Sequence, residues 1–363
     1  MIVPQDAVSA ADYERHFHLR VDRGVAAYIG GAGADGITQQ ANRAAYDCLH
    51  LMPRALVDMA GATAASHLLG QPMAYPIIVA PMAHHRLVHP EGEMATAAAA
   101  SMTGTWMTVS TQASVAVGEV ARATRGPLWF QLYAQPRPAD TLTLVRRAED
   151  AGCRALVLTI DAPVNGIRNM EQRAGFRLPP GVTTPNLEGL AGDDFVPAHP
   201  GSPVFQGMLR TAPTWADVAW LCRQTPLPVL LKGIMNPLDV EPAIAAGARG
   251  IIVSNHGGRT LDTLPATLDV LPLVVDAVAG RLPVLVDGGI RRGTDILKAL
   301  ALGARAVMVG RPVLHALAVG GVAGVAHLLT VLQTELEVAM ALTGRPTLAD
   351  VDRTVLHGVA PGA

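Results

Sequence analysis

Charge is scarce in this chain of 363 residues. Asp, Glu, Lys and Arg make up 16% of it, against about 25% in an ordinary soluble domain. Half of the residues are hydrophobic, so the chain can bury far more surface than a disordered segment could. The two signs nearly cancel, to a formal −2, and no general basic field exists to capture nucleic acid or anionic lipid. Aromatics are only 4%, which suits layered helix-on-sheet packing better than an all-β sandwich. The three cysteines, Cys48, Cys153 and Cys222, lie far apart with no CxxC. That excludes a zinc knuckle or a redox pair and fits a reducing compartment, each thiol filling space as a small apolar group. No secretory signal tolerates the early Asp6, Asp12, Glu14, Arg15 and Arg20, so a cytoplasmic protein is expected. Uncharged stretches at 94–118 and 312–334 reach membrane-spanning length. The first is rich in Thr and Ser, and the second is interrupted by Gly320, Gly321 and Gly324. Both are predicted as strand, loop and helix inside a large core.

Glycine (36) and proline (27) are abundant, and they punctuate one rhythm. Short apolar runs recur at Tyr75–Pro81, Thr105–Ser110, Leu128–Tyr133, Ala155–Asp161, Pro228–Lys232, Gly250–Asn255, Pro283–Asp287 and Ala306–Gly310. Such runs signal strands buried on both faces, as in parallel sheets. Between them lie helical patterns at Thr141–Gly152, Pro237–Gly247 and Thr294–Gly303, each stopping at a glycine. Eight strands alternating with helices predict an α/β fold, a (β/α)8 TIM barrel, with an open doubly wound sheet as the competitor. One barrel domain over 1–363 is expected. Residues 1–74 form a mostly helical N-terminal extension. The proline-rich segment 169–213 makes a long loop after strand four, expected to act as an active-site lid.

The C-terminal ends of barrel strands converge on one site. In order they carry Ala80-Pro81-Met82-Ala83, Ser110, Gln131 with Tyr133, Thr159 with Asp161, Lys232, Ser254 with His256, Asp287, and Gly310-Arg311. Two acids, a lysine, a histidine, an arginine, a phenol and several amide and hydroxyl groups are thus expected to face one cavity. The sharpest motif runs from Ser254 to Asp262 (SNHGGRTLD). Its glycines let the backbone approach a ligand, and Arg259 offers a planar fork for a carboxylate. The glycine turns Asp287-Gly288-Gly289-Ile290-Arg291 and Val309-Gly310-Arg311-Pro312 follow strands seven and eight, where barrels hold phosphates. No GxGxxG follows a first strand, so a Rossmann nicotinamide site is unsupported.

On these motifs the chain resembles the FMN-dependent 2-hydroxy acid oxidases and dehydrogenases, which include glycolate, lactate and hydroxymandelate oxidases. The likeness runs from Ala41-Asn42-Arg43 through His89-Pro90-Glu91-Gly92-Glu93, Phe130-Gln131-Leu132-Tyr133 and Leu158 to Pro163, then Leu231-Lys232-Gly233, and ends at Gly310-Arg311-Pro312. It implies an enzyme that binds FMN and oxidises an (S)-2-hydroxy acid to the 2-oxo acid. His256 is implied as the base and Asp161 as its carboxylate partner. Arg259 and Arg168 would hold the substrate carboxylate, and Tyr133 the substrate hydroxyl. Lys232 would sit by the pyrimidine end of the flavin. Ala80, Met82, Ala83, Ser110, Gln131, Thr159 and Ser254 would hold the flavin ring and ribityl chain. Asp287, Gly289, Arg291, Gly310 and Arg311 would hold the ribityl hydroxyls and the phosphate. Ala83 resembles the oxidases more than the dehydrogenases with glycine there, which implies dioxygen as acceptor and hydrogen peroxide as product. Relatives are commonly tetramers, so a soluble homotetramer is expected.

Three positions depart from the family pattern. The tyrosine expected before the Gly30-Gly31 turn aligns with Ala27, which predicts an enlarged pocket and a bulkier, mandelate-type acid. Tyr28 stands beside it as the alternative filler. Gln112 occupies the usual aromatic position after strand two. His84-His85 point apart as neighbours on an extended chain, and are predicted as rim or structural residues with no metal. Two other function classes compete, a flavin-dependent isomerase and a non-catalytic phosphate-binding barrel. The retained His256, Asp161, Lys232 and Arg259 weigh against both.

Overall fold

The computed structural model describes residues 2–191 and 201–359. The chain starts with three helices, α1 (Ala10–His18), α2 (Arg23–Gly30) and α3 (Ile37–Cys48). Ser9 and Asp22 cap the first two by accepting from the backbone N–H groups of Asp12 and Val25. Gly36 offers α3 no such cap. The carboxylate of Asp262, more than two hundred residues later, takes its place and accepts from the N–H groups of Asp35, Ile37 and Thr38 at 3.0, 3.3 and 2.8 Å. Burial acts to raise the Asp262 carboxyl, but these backbone bonds outweigh it and hold it down at about 2. The last residue of the SNHGGRTLD motif is therefore a brace that ties the extension to the barrel.

The extension is less helical than its composition suggests. After α3 the chain is irregular and then forms a hairpin of β1 (Ser66–Leu68) and β2 (Gln71–Met73) around Leu69-Gly70, both at positive φ. Leu68 and Met73 reach the cluster that fills the barrel interior, so the hairpin plugs the end of the barrel away from the polar strand ends.

Eight parallel strands close the barrel: β3 (Ile77–Val79), β4 (Trp106–Ser110), β5 (Leu128–Leu132), β6 (Leu156–Thr159), β7 (Val229–Ile234), β8 (Gly250–Val253), β9 (Val284–Asp287) and β10 (Ala306–Val309). Each matches one of the eight apolar runs, with shorter ends except in β7, which runs past Lys232 to Ile234. Helices follow them: α4 (Glu93–Met102), α5 (Val117–Arg122), α6 (Pro138–Asp150), α7 (Asn169–Ala174), α8 (Trp215–Gln224), α9 (Val240–Ala245), α10 (Thr267–Val278), α11 (Gly293–Ala301) and α12 (Arg311–Leu342). The fold is a (β/α)8 barrel, not an open sheet.

Period-two alternation explains both the core and the site. One parity packs outward on the helices, including Val79, Val109, Phe130, Leu158, Leu231 and Val286. The other parity points inward. Deep in the barrel it is apolar, with Ile78, Trp106, Trp129, Val157, Leu230 and Leu285 in one cluster and the two tryptophans edge to face at 5.7 Å. Continuing the same parity towards the C-terminal ends gives Gln131, Thr159, Lys232 and Asp287. The interior is therefore a packed floor beneath a polar layer.

Three predicted elements differ. Residues 312–334 are two helical stretches joined across a kink at Gly321, not strand, loop and helix. Of the three glycines only Gly321 leaves helical geometry (φ 58°, ψ −141°), where an added Cβ would lie 2.8 Å from His89 Nε2. This helix, α12, is long and apolar enough to cross a membrane, but 72% of its most apolar window is buried inside the protein, as suits a core helix. The pattern at Pro237–Gly247 begins as a 3-10 turn and becomes α9 only at Val240. The segment 169–213 holds α7 and short turns at Pro185–Leu187, Pro203–Gly207 and Met208–Thr211. Residues 192–200 of the expected lid, with Pro197 and Pro200, lie outside the described residues.

Candidate active site

The strand ends open into a cavity of about 360 Å³. Lys232 stands at a local irregularity: the pairing of β7 with β8 shifts between Lys232 and Ile234, and such a bulge re-aims a side chain. Its Nζ donates to Ser254 Oγ at 2.8 Å and pairs with Asp287 Oδ2 at 2.9 Å. Burial acts to lower the Lys232 ammonium, but Asp287 and Asp161 outweigh it and hold it above its usual range. Lys232 and Asp287 line the cavity, whereas Ser254 is fully buried behind them. Ser254 is therefore a support for Lys232 and for the His256 N–H (3.1 Å), not a residue that faces the cavity.

His256 adopts a left-handed backbone, φ 57°, which costs energy for a residue with a Cβ and marks functional sites. Its Nδ1 lies 2.9 Å from Asp161 Oδ1, so the bond to Asp161 fixes the ring and leaves Nε2 as the nitrogen available to a ligand. Burial acts to raise the Asp161 carboxyl, yet the charge and hydrogen bond of His256, with Lys232 nearby, hold it below its usual range. His256 lines the cavity while Asp161 stands behind it. Tyr133 shares the lining, and burial pushes its hydroxyl up to about 12, so it stays a neutral donor.

Arg259 also lines the cavity. Its Nη1 donates to the carbonyls of Tyr28 (2.8 Å), Ile29 (3.3 Å) and Gly31 (2.8 Å), and its guanidinium lies over the Tyr28 ring at 5.5 Å. Tyr28 in turn stacks on Phe176 with centroids 4.6 Å apart. Arg168 lines the same end, and its Nε is buried without a partner. Both arginines touch Glu171 of α7: Arg259 Nη2 at 3.2 Å and Arg168 Nη1 at 3.3 Å from Oε1.

This corrects the placement of the tyrosine. Ala27 is buried in α2 and does not reach the cavity, whereas Tyr28 lines it. Successive helical residues differ by about 100° in direction, so a one-residue misalignment chooses the wrong face. Ala27 leaves no gap, and the enlarged pocket inferred from it falls away. Gln112 and His84 do line the cavity. His85 is buried, with Nδ1 2.9 Å from Thr96 Oγ1, which is a structural place.

The remaining predicted residues fall into two groups. Ala80, Met82, Ala83, Ser110, Gln131 and Thr159 line the cavity along β3 to β6. The last three form a chain: Ser110 Oγ donates to Gln131 Oε1 at 3.1 Å, and Gln131 Nε2 donates to Thr159 Oγ1 at 3.1 Å. At the far end stand Gly289, Arg291, Gly310 and Arg311. Gly289 has φ 80°, and a Cβ there would lie 2.1 Å from the Asn42 carbonyl oxygen. Arg311 Nη2 donates to the Gly257 carbonyl at 2.6 Å, yet its Nε is buried without a partner. Burial first, then the charges of Arg259 and Arg291, push the Arg311 guanidinium down. An anion between these arginines would relieve that repulsion. Asp287 Oδ1 is likewise buried and unpartnered, an acceptor free for a hydroxyl. Cationic turns for a phosphate, an open acceptor for a polyol and a buried ammonium beside a ring-sized space fit FMN.

Closed barrel, phosphate turns, oriented histidine and arginine clamp together define a flavin-binding oxidoreductase site for a carboxylic acid. Comparison with known proteins agrees. The model of the FMN-dependent dehydrogenase family matches residues 18–358. An L-lactate oxidase from Nostoc sp. is 49% identical over 338 residues, 91% of this chain and 92% of that protein. A peroxisomal (S)-2-hydroxy-acid oxidase from Oryza sativa subsp. japonica is 46% identical, covering 90% and 89%. The crystal structure of a mandelate oxidase superposes with a TM-score of 0.88 at 42% identity, over 96% of this chain and 98% of that one. The chain belongs to the FMN-dependent dehydrogenase family, and its cofactor is FMN.

Sequence reading offered Tyr28 only as the alternative to Ala27, and it missed Glu171. Glu171 follows Arg168 by three residues, a spacing at which helical side chains meet, and that signal was available. Asn165 also lines the cavity, and nothing in its local sequence marks it.

Proposed function

We propose that the protein oxidises an (S)-2-hydroxy monocarboxylic acid to the 2-oxo acid and passes the electrons to dioxygen, giving hydrogen peroxide. The observation that carries this reading is the pairing in one cavity of an Asp-oriented histidine with an arginine clamp. Arg259 and Arg168 hold the carboxylate, and Tyr133 donates to or accepts from the substrate hydroxyl. With Nδ1 committed to Asp161, His256 receives the substrate proton at Nε2, and Asp161 stabilises the imidazolium that results. No side chain present accepts two electrons; FMN supplies that sink when bound. Ala80, Met82, Ala83, Gln131 and Thr159 would hold its ring, Lys232 its pyrimidine end, and Arg291 and Arg311 its phosphate.

The reading extends to substrate size on different grounds from Ala27. A second cavity of about 590 Å³ adjoins the first, sharing Gln112, Tyr133, Arg168 and His256, and continues past Ile160, Met208 and Trp215. Such a space suits an apolar substituent larger than a methyl group. We expect mandelate or 2-hydroxyoctanoate to exceed glycolate in kcat/KM, with peroxide formed in step with the 2-oxo acid in air. A panel of glycolate, lactate, 2-hydroxyoctanoate and mandelate, assayed for peroxide and for dye reduction, tests both points. Glycolate leading the panel would end the size reading. Dye reduction without peroxide would end the oxidase reading.

We also propose a soluble, cytoplasmic homotetramer. Exposed Met52, Leu56, Leu273, Val338 and Leu342 are apolar side chains that an assembly would cover. Light scattering is expected to give four times the chain mass, and a monomer at micromolar concentration contradicts this.

A further inference from the structure

Among the described residues, Glu171 is an acidic side chain held against both arginines of the carboxylate end, and the reaction does not use it. It sits on α7 with its side chain only 16% exposed, between two guanidinium groups. Oε1 accepts from Arg259 Nη2 at 3.2 Å and from Arg168 Nη1 at 3.3 Å, and Oε2 lies 3.4 Å from the same Arg168 nitrogen. These donors belong to the clamp that, on the reading above, must hold a substrate carboxylate.

We propose that Glu171 is an internal competitor for that clamp, a positioning residue that keeps carboxylate binding weak enough to reverse. The inference rests on the proposed 2-hydroxy acid reaction, in which substrate and product carry the same carboxylate. Two arginines and one glutamate leave a single net positive charge, which one carboxylate neutralises. Without Glu171 the net charge becomes two, and in a water-poor pocket the attraction for an anion rises steeply. The 2-oxo acid would then leave slowly.

Arg259 does not need Glu171 for its orientation. Its Nη1 is held by three backbone carbonyls, and its plane lies over Tyr28. Removing the glutamate charge therefore frees Nη2 without releasing the side chain. Arg168 depends on Glu171 more, since Glu171 is its hydrogen-bond partner through Nη1, and Glu171→Gln keeps an acceptor oxygen there while removing the charge. The opposite expectation, that Glu171 merely braces the arginines, predicts weaker binding when it is changed. The two accounts thus differ in sign.

The test compares parent and Glu171→Gln holoenzymes by calorimetric titration with pyruvate and with acetate, neither of which is oxidised. Tightening of both by about tenfold or more is expected, together with a lower KM for the hydroxy acid and no gain in kcat. Glu171→Ala makes the same charge change without an acceptor, and tightening is expected there too. It decides the matter should the glutamine variant fail to fold. Unchanged or weaker binding in the folded variants overturns the proposal. The binding readout does not depend on turnover. A parent enzyme that oxidises no hydroxy acid would sink the proposed reaction, while the titrations still judge Glu171.

Discussion

His256→Ala is expected to leave FMN bound and to lower turnover by at least ~10²-fold, the usual scale for a positioned acid–base group. The imidazole contacts Asp161 and presents its other nitrogen to the cavity, so its loss removes the proton acceptor but none of the arginines at the phosphate end. The visible spectrum reports retained flavin, and stopped-flow absorbance reports how fast substrate bleaches it. Normal bleaching in the variant would remove His256 from the reaction. The strained backbone (φ 57°) persists in the variant, because alanine keeps the Cβ. A modest stability change is therefore expected beside a large kinetic one.

Arg259→Ala should be comparably damaging but in a different parameter. Truncating one partner of a buried, hydrogen-bonded charge pair costs about 2–5 kcal/mol, so kcat/KM should fall by about 30-fold or more, with KM carrying a large part. The carbonyls of Tyr28, Ile29 and Gly31 lose their donor as well, which links the clamp to the end of α2 and predicts a lowered melting temperature. Arg259→Lys keeps the charge but not the planar fork, and should recover only part of the loss. An unchanged KM with a collapsed kcat would show that Arg259 does not bind the carboxylate.

The barrel was readable in the sequence because parallel strands are buried on both faces, and runs such as Leu128–Leu132 or Val284–Asp287 stay apolar until their last inward residue. That last residue, Gln131 in one case and Asp287 in the other, is where the site begins. The strand-end residues could therefore be placed in one cavity before the structure was known. Pairings were less accessible. Ser254 follows one strand and Lys232 lies near the end of another, yet one buttresses and the other faces the ligand space, which depends on the shift at Gly233. Ala27 and Tyr28 differ only by helical rotation, which a gapped alignment through glycines cannot fix. The hairpin β1–β2 escaped notice because three-residue strands show little alternation. In α12, three glycines read as a break; the chain does kink at one of them, Gly321, while the other two keep helical geometry.

The central claim is that this cavity transfers electrons from an (S)-2-hydroxy acid to bound FMN. The most direct measurement is anaerobic titration of the purified yellow holoenzyme with each enantiomer of lactate and of mandelate, followed by flavin absorbance. The (S) acids should bleach the flavin, with 2-oxo acid recovered in equal amount, and air should restore the colour. A flavin that stays oxidised with every (S) acid, or bleaches only with the (R) acids, would contradict the account.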